Sequence, residues 1–173
     1  LGYLVSAAIR RSKKAMRLRL GFGRRRQRGN ALVETGLVLL PLMALILAFI
    51  DHGLAIFLQG TFQHAVREGV RYAVTYQVIS GKGQDDSIRA VVQRNAVGFL
   101  NTCPSCIKIR YYKPDTLVET SDNLPGNIVE VSIEGYSRNW IAPLWRVAGA
   151  YAITARAADR MEGLSGGSSP PTR

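Results

Sequence analysis

The first 29 residues of this 173-residue chain contain no aspartate or glutamate. Ten of the 23 lysine and arginine residues lie in that segment, so the remaining 13 stand against 12 acidic residues in the rest of the chain. The net charge of +11 would by itself suggest a nucleic-acid partner. Because nearly all of it resides before Asn30, the body is close to neutral, and we expect no nucleic-acid-binding surface there.

Cysteine and histidine are scarce, with two of each. A zinc site needs about four ligands, and His52 and His64 lie on a predicted anchor helix where they are not expected to meet Cys103 and Cys106. No nucleophile is visibly paired with a base. The sequence therefore predicts no metal, no cofactor and no enzymatic activity.

Charge is also absent from residues 35–50. With apolar residues on either side, this run approaches the roughly 20 residues that a membrane-spanning helix needs. Pro41 is tolerated in such helices. A cleavable secretory signal would need a small-residue site soon after the run, and the residues before Asp51 make a poor one. A basic segment directly before an apolar run is typical of a terminus kept in the cytoplasm.

An apolar stripe continues beyond the uncharged run at helical spacing, which predicts that the membrane helix extends into an amphipathic helix reaching about Val78. Gly53 and Gly60 are candidate break points. The members of the stripe are Leu54, Leu58, Phe62, Ala65, Gly69, Tyr72 and Tyr76.

The remainder indicates one more helix and a sheet. Asp85 and Asp86 open a helix predicted to end near Leu100, where the acids suit the positive end of its dipole. Three later segments, around 107–111, 129–133 and 151–156, alternate apolar and polar residues, which is typical of half-exposed antiparallel strands.

The predicted fold class is α+β, with a long N-terminal transmembrane and amphipathic helix, a second helix and a three-stranded antiparallel sheet. The predicted segments are a basic leader (1–29), a transmembrane helix (30–52), an amphipathic extension (53–79), a small extracytoplasmic α+β domain (80–162) and a flexible Gly/Ser/Pro-rich tail (163–173).

Gly29 marks the boundary between the basic and apolar segments. Cleavage after Gly29 would place a free amine on Asn30, one helical turn before Glu34. A carboxylate buried deep in the bilayer costs roughly 2.5–3.5 kcal/mol without a partner, and an amine that titrates near 8 could pair with it. In a polymer the partner amine could belong to a neighbouring subunit. The alternative is that Glu34 lies at the headgroup level beside Arg28.

The segment Arg28–Glu34 followed by the apolar run resembles the start of TadE-like proteins, the pseudopilins of the tight-adherence (Flp, type IVc) pilus system. The blocks at 49–53 and 65–73 resemble the other strong motifs of that family, so the resemblance covers about Arg28 to Tyr76. Thr35 stands where major pilins tend to have an aromatic residue, which favours a minor pseudopilin. The leader is long if the chain starts at Leu1; Met16 is an alternative start.

The resemblance implies processing by a prepilin peptidase after Gly29 and a role in pilus assembly or initiation, in the fibre or at its base. The implied partners are other Tad pseudopilins and pilin, the inner-membrane assembly platform and membrane lipid. The implied location is the bacterial inner membrane, with a single pass and the C-terminal domain periplasmic or extracellular.

The densest charged cluster of the body is predicted to be either a solvated helix face or a docking surface for a partner pseudopilin or for the protein's own sheet. Its residues are Arg67, Glu68, Gly69, Arg71 and Tyr72.

Cys103 and Cys106 have the spacing of a redox motif, but they follow a predicted helix and precede a strand, whereas a thioredoxin-type pair begins a helix. A structural disulfide is therefore the leading interpretation, with reduced thiols as the alternative. Two other function classes stay open: an uncleaved single-pass protein with an extracytoplasmic binding domain, and a membrane-tethered thiol oxidoreductase.

Overall fold

The computed structural model describes the backbone of residues 23–142, 149–164 and 168–173, and side chains from residue 30 onward within these ranges. Residues 1–22 of the predicted leader lie outside the described residues, and 23–29 already belong to the first helix. The described elements are α1 (Gly23–Val74), α2 (Gln84–Asn95), a 3₁₀ turn (Pro104–Cys106), β1 (Ile107–Tyr112), β2 (Glu119–Thr120), β3 (Ile128–Arg138) and β4 (Tyr151–Arg160). The predicted α+β, pilin-like arrangement is confirmed.

Helix α1 is continuous over 52 residues and includes Pro41, Gly53 and Gly60. The chain divides into two compact units, residues 1–47 and 48–173, and α1 belongs to both. In the described part of the chain, one helical stretch, Asn30–Val74, is long and apolar enough to cross a membrane. In the first unit most of its large apolar side chains are exposed, as Leu32 and Leu40 are.

Helix α1 ends four residues before the predicted end at Val78. Tyr76 takes a left-handed backbone conformation, with φ of 55°, and its N–H donates to the carbonyl oxygen of Ala73 at 3.0 Å. Left-handed residues of this kind commonly terminate helices. Helix α2 likewise stops early, at Asn95 instead of near Leu100, because Val97 and Gly98 both have positive φ.

The core of the second unit lies between α1, α2 and one face of the sheet. Leu58, Phe62, Ala65 and Val66 of α1 are fully buried, which confirms the predicted stripe in this part of the helix. They pack with apolar residues that are also inaccessible to solvent, among them Ile88 and Val92 of α2, Tyr111 of β1, and Val129, Val131 and Ile133 of β3.

The sheet has four antiparallel strands in the order β2-β1-β3-β4. The three predicted strands are present, and β2 is a two-residue addition too short to show a periodic pattern. A register shift lies between Ile133 and Tyr136 of β3, where Gly135 has φ of 77°. A bulge at a left-handed glycine turns the strand sharply, so β3 curves at the end that leads toward β4.

Residues 168–173, the described end of the predicted flexible tail, contact α2 and β1. The carbonyl oxygen of Thr172 accepts a hydrogen bond of 2.8 Å from the N–H of Gln84. The guanidinium of Arg173 pairs with Asp85 at 3.0 Å. This part of the tail is therefore attached to the domain in the structure.

We predict that Gly69→Ala lowers the thermal stability of the domain by about 1–3 kcal/mol, the usual range for overpacking. A Cβ at Gly69 would lie 2.5 Å from Cγ2 of Val92, and a β-branched side chain cannot easily move away. Melting temperature in detergent measures the effect.

Gly60→Ala is the matched control, because a Cβ there meets nothing within 4 Å and alanine favours helix by about 1 kcal/mol. Adding Val92→Ala to Gly69→Ala should relieve the overlap and recover part of the loss. A Gly69→Ala protein as stable as wild type would contradict the predicted close packing.

Candidate functional site

The predicted processing and pairing residues lie within the first part of α1. The helical backbone includes Gly29. Asn30 and Glu34 are exposed and are four residues apart, so they lie on the same helical face. This spacing is what a pairing between an amine at position 30 and the Glu34 carboxylate requires.

The predicted charged cluster has two surfaces. Gly69 is buried against α2 and β3. Arg67 and Arg71 are exposed, and Glu68 and Tyr72 are partly buried. The glycine therefore serves the protein's own packing, and the docking of a partner on this cluster stays a prediction. The two arginines remain available for a docking surface.

Two open grooves flank Arg71. One, of about 550 Å³, lies between α1 and β4 and is bordered by Arg67, Asp159 and Glu162. The other, of about 340 Å³, lies between α1 and α2 and is bordered by Glu68, Tyr72 and Arg94. Because each groove carries charges of both signs, a protein surface with its own mixed charges fits this region better than a simple anion.

Asp51 links α1 to the connection between β3 and β4. Its side chain is only 2% exposed. One carboxylate oxygen accepts the Ile141 N–H at 2.9 Å, and the other accepts the Ile141 and Ala142 N–H groups at 3.1 and 2.8 Å. A buried charge needs such partners, so this carboxylate fixes the connection against the helix where the uncharged run ends.

The sequence carries a signal for this role of Asp51. Asp51 precedes Leu54 by three residues and Leu58 by seven, which places it on the buried stripe of α1. An acidic residue in line with a core stripe is a candidate for internal hydrogen bonds. Its partners are backbone amides, which no side-chain pattern reveals.

The outer face of the sheet carries an ionic network that was not predicted. Arg110 of β1 donates to Glu134 of β3 at 2.7 and 2.9 Å and to Glu130 at 3.3 Å. The pKa of Glu134 is lowered to about 2, chiefly by its hydrogen bonds with Arg110 and secondly by the one from Ser132. Arg156 of β4 lies 3.6 Å from Glu130, so the network joins three neighbouring strands.

Cys103 and Cys106 are joined by a disulfide in the structure, with Cα atoms 5.4 Å apart. The bridge encloses the 3₁₀ turn directly before β1, in the arrangement expected of a structural link between helix and strand. Elsewhere in the described residues, no group of three or more His, Cys, Asp or Glu side chains could hold a metal.

These features define a class: a protein with an N-terminal apolar helix able to span a membrane, which continues into a small α+β domain of pilin-like arrangement. Residues 29–71 match the family model described as TadE-like protein. The resemblance is thereby confirmed over this segment, which is similar to TadE-like proteins. No curated protein and no solved structure matches the chain.

The match covers roughly a quarter of the chain. It begins at Gly29 and ends at Arg71, so it includes the predicted cleavage glycine, the apolar run and most of the charged cluster. This match and the apolar helix are together consistent with a component of the Tad pilus system.

We predict that Asp51→Ala destabilises the domain by about 1–3 kcal/mol, because it removes the acceptor of a buried amide. Hydrogen exchange should show faster exchange at the amides of Ile141 and Ala142, together with a lower melting temperature. Asp115→Ala, which removes an exposed loop carboxylate, is the control. Unchanged exchange at both amides would contradict the assigned role of Asp51.

A second prediction concerns pH. The pKa of Glu134 is lower in the folded protein than its ordinary 4.5, so its charge stabilises the fold above pH 4.5. That contribution is lost as the pH falls from 4.5 toward 2. The stability difference between wild type and Glu134→Gln should therefore be full at pH 6 and shrink across that window. Both partners are about a third exposed, so the difference should be small and decrease with salt. A difference that does not change between pH 6 and 3 would contradict this assignment.

Proposed function

We propose that this protein is a minor pseudopilin of a Tad/Flp-type pilus. It is processed by a prepilin peptidase after Gly29 and acts in pilus assembly or initiation. The observation that carries the proposal is that the TadE-like match begins at Gly29, the residue where the acid-free basic segment meets the apolar helix. Five residues later stands Glu34, the first acid of the chain.

The charge distribution supports one orientation. A segment with ten basic and no acidic residues stays on the cytoplasmic side of a membrane. The chain then crosses the inner membrane once and carries its α+β domain on the periplasmic or extracellular side. Removal of the leader leaves a nearly neutral mature protein, so its partners must recognise shape and apolar surface more than net charge.

The exposed face of α1 in the second unit supports assembly through helix packing. Phe49, Gly53, Ile56 and Gly60 follow one another at intervals of four, three and four residues, which places them on one helical face. Phe49 and Ile56 are 71% and 74% exposed, and a Cβ at either glycine meets nothing within 4 Å. Small residues between apolar ones allow another helix to approach closely. We assign this face to the helices of the pilin and of other pseudopilins.

The grooves beside Arg71 support a second contact with another pseudopilin or with the assembly platform. They lie on the extracytoplasmic part of α1, beyond the apolar run, where a partner domain can reach them. Arg67, Glu68 and Tyr72 border them as well.

Processing is tested by intact mass spectrometry of the membrane-extracted protein from cells that contain a prepilin peptidase. We expect a mature form that begins at Asn30 and whose mass also shows the Cys103–Cys106 bond. Gly29→Val should leave the leader attached. Gly36→Val, at an open position of the same helix, should be cleaved normally. An intact leader on the wild-type protein would favour the alternative of an uncleaved single-pass protein with an extracytoplasmic binding domain.

The pairing of Glu34 is tested separately from cleavage. Glu34→Ala should still be cleaved but should reduce the number of pili per cell, because the amine of Asn30 or of a neighbouring subunit loses its counter-charge. Glu34→Asp keeps the charge and should retain part of the assembly. Electron microscopy counts the pili, and a normal count for Glu34→Ala would refute the pairing.

A further inference from the structure

A cleft between α2, β1 and the β2–β3 connection holds residues 171–173. The carbonyl oxygen of Pro171 accepts a hydrogen bond of 2.8 Å from Nδ2 of Asn123. The carbonyl oxygen of Thr172 accepts one of 2.8 Å from the N–H of Gln84. The segment is thus bound through its backbone as an extended peptide.

The side chain of Arg173 is bound on three sides. Its Nε and Nη2 donate to Oδ2 of Asp85 at 3.1 and 3.0 Å, and its Nη1 donates to the carbonyl oxygen of Ser121. The guanidinium carbon lies 4.6 Å from the centre of the Tyr111 ring, a favourable cation–π distance. A lysine ammonium cannot form this combination of planar contacts.

The groups that line the cleft are held by the domain itself. With residues 171–173 in place, Gln84 and Tyr111 are fully buried. The Tyr111 hydroxyl donates to Oδ1 of Asp85 at 2.9 Å, which orients the carboxylate. Nε2 of Gln84 donates to the Ala73 carbonyl oxygen at 3.2 Å, so the cleft is attached to the end of α1. Gly83 completes the fit, since a Cβ there would lie 2.7 Å from the Arg173 backbone.

The attachment of the segment to β4 permits its exchange. Residues 163–169 have the sequence Gly-Leu-Ser-Gly-Gly-Ser-Ser, a composition typical of linkers. The Arg173 side chain is a third exposed, and partly solvated ion pairs of this kind are weak. The contacts described above involve only Pro171, Thr172 and Arg173, which the linker of a second copy could present equally well.

We propose that this cleft is a peptide-binding site for an extended Pro-Thr-Arg segment, and that residues 168–173 of a second copy can replace the protein's own segment in it. The ligand class is an arginine-bearing peptide with a preceding proline, recognised by the Asp85 carboxylate and the Tyr111 ring. Such exchange would link two copies through their domains. The inference does not depend on the proposed function.

The binding test uses the full-length Arg173→Ala protein in detergent, whose own segment lacks the arginine. An amidated, fluorescent peptide Ser-Ser-Pro-Pro-Thr-Arg is titrated against it, and anisotropy is measured. We expect saturable binding that is about tenfold weaker when the peptide arginine is replaced by alanine. Wild-type protein should bind less peptide because its own segment competes.

Asp86→Asn provides a matched control for Asp85→Asn, both made in the Arg173→Ala protein. Asp86 is the next residue of α2, its side chain is 67% exposed, and it pairs with Arg89. Only Asp85→Asn should weaken peptide binding. If Asp85→Asn does not fold, the comparison of the arginine peptide with its alanine version on the Arg173→Ala protein still tests the proposal. No saturable binding up to about 1 mM, or equal binding of both peptides, would overturn the proposal.

Exchange between copies is tested by mixing two full-length variants. Arg173→Ala has an intact cleft without its arginine, and Asp85→Asn has the arginine without an intact cleft. The mixture should form a heterodimer, detected by capture through a tag on one variant, whereas neither variant should associate alone. Peptide binding without association in the mixture would overturn the second-copy claim.

Discussion

The domain depends on the close approach of α1 to α2 and β3. At Gly69 the helix backbone comes so close to Val92 and Val131 that a single Cβ would overlap with Val92. This distance lets Phe62, Ala65 and Val66 reach full burial, and it brings α2 and β3 against the same helix. Without it, the sheet would lose its cover, because the described core consists of α1, α2 and one sheet face.

Two sets of polar contacts then fix the position of the β3–β4 connection and the register of the strands, which apolar packing does not specify. Apolar contacts are non-directional and do not specify where a connection between strands must lie. Asp51 specifies it by accepting the amides of Ile141 and Ala142. On the opposite face of the sheet, Arg110 holds carboxylates of β3 in a defined register. The Asp51 site is buried, so loss of its charge leaves backbone amides unsatisfied, whereas the Arg110 network is partly solvated and contributes less. Both nevertheless favour one arrangement of the strands.

The sequence predicted those features that depend on periodicity. The stripe from Leu54 to Tyr72, the three longer strands and the helix opened by Asp85 all follow from local spacing, and the family resemblance follows from the motif at Gly29. It did not predict β2, the helix end at Tyr76 or the partners of Asp51. These depend on backbone conformation and on contacts between residues far apart in the chain: Asp51 and Ile141 are separated by 90 positions.

The two faces of α1 explain why one helix can serve both the domain and an assembly. The face with Leu58 and Phe62 is wholly occupied by the domain, and changes there act on folding. The face with Phe49 and Ile56 makes no comparable contact within the described chain, so changes there should leave folding intact. An apolar surface that does not contribute to the fold is costly in water. The presence of this exposed apolar face is explained if lipid and neighbouring helices cover it. Substitutions on this face should then reduce assembly without reducing stability, whereas substitutions in the core should reduce stability.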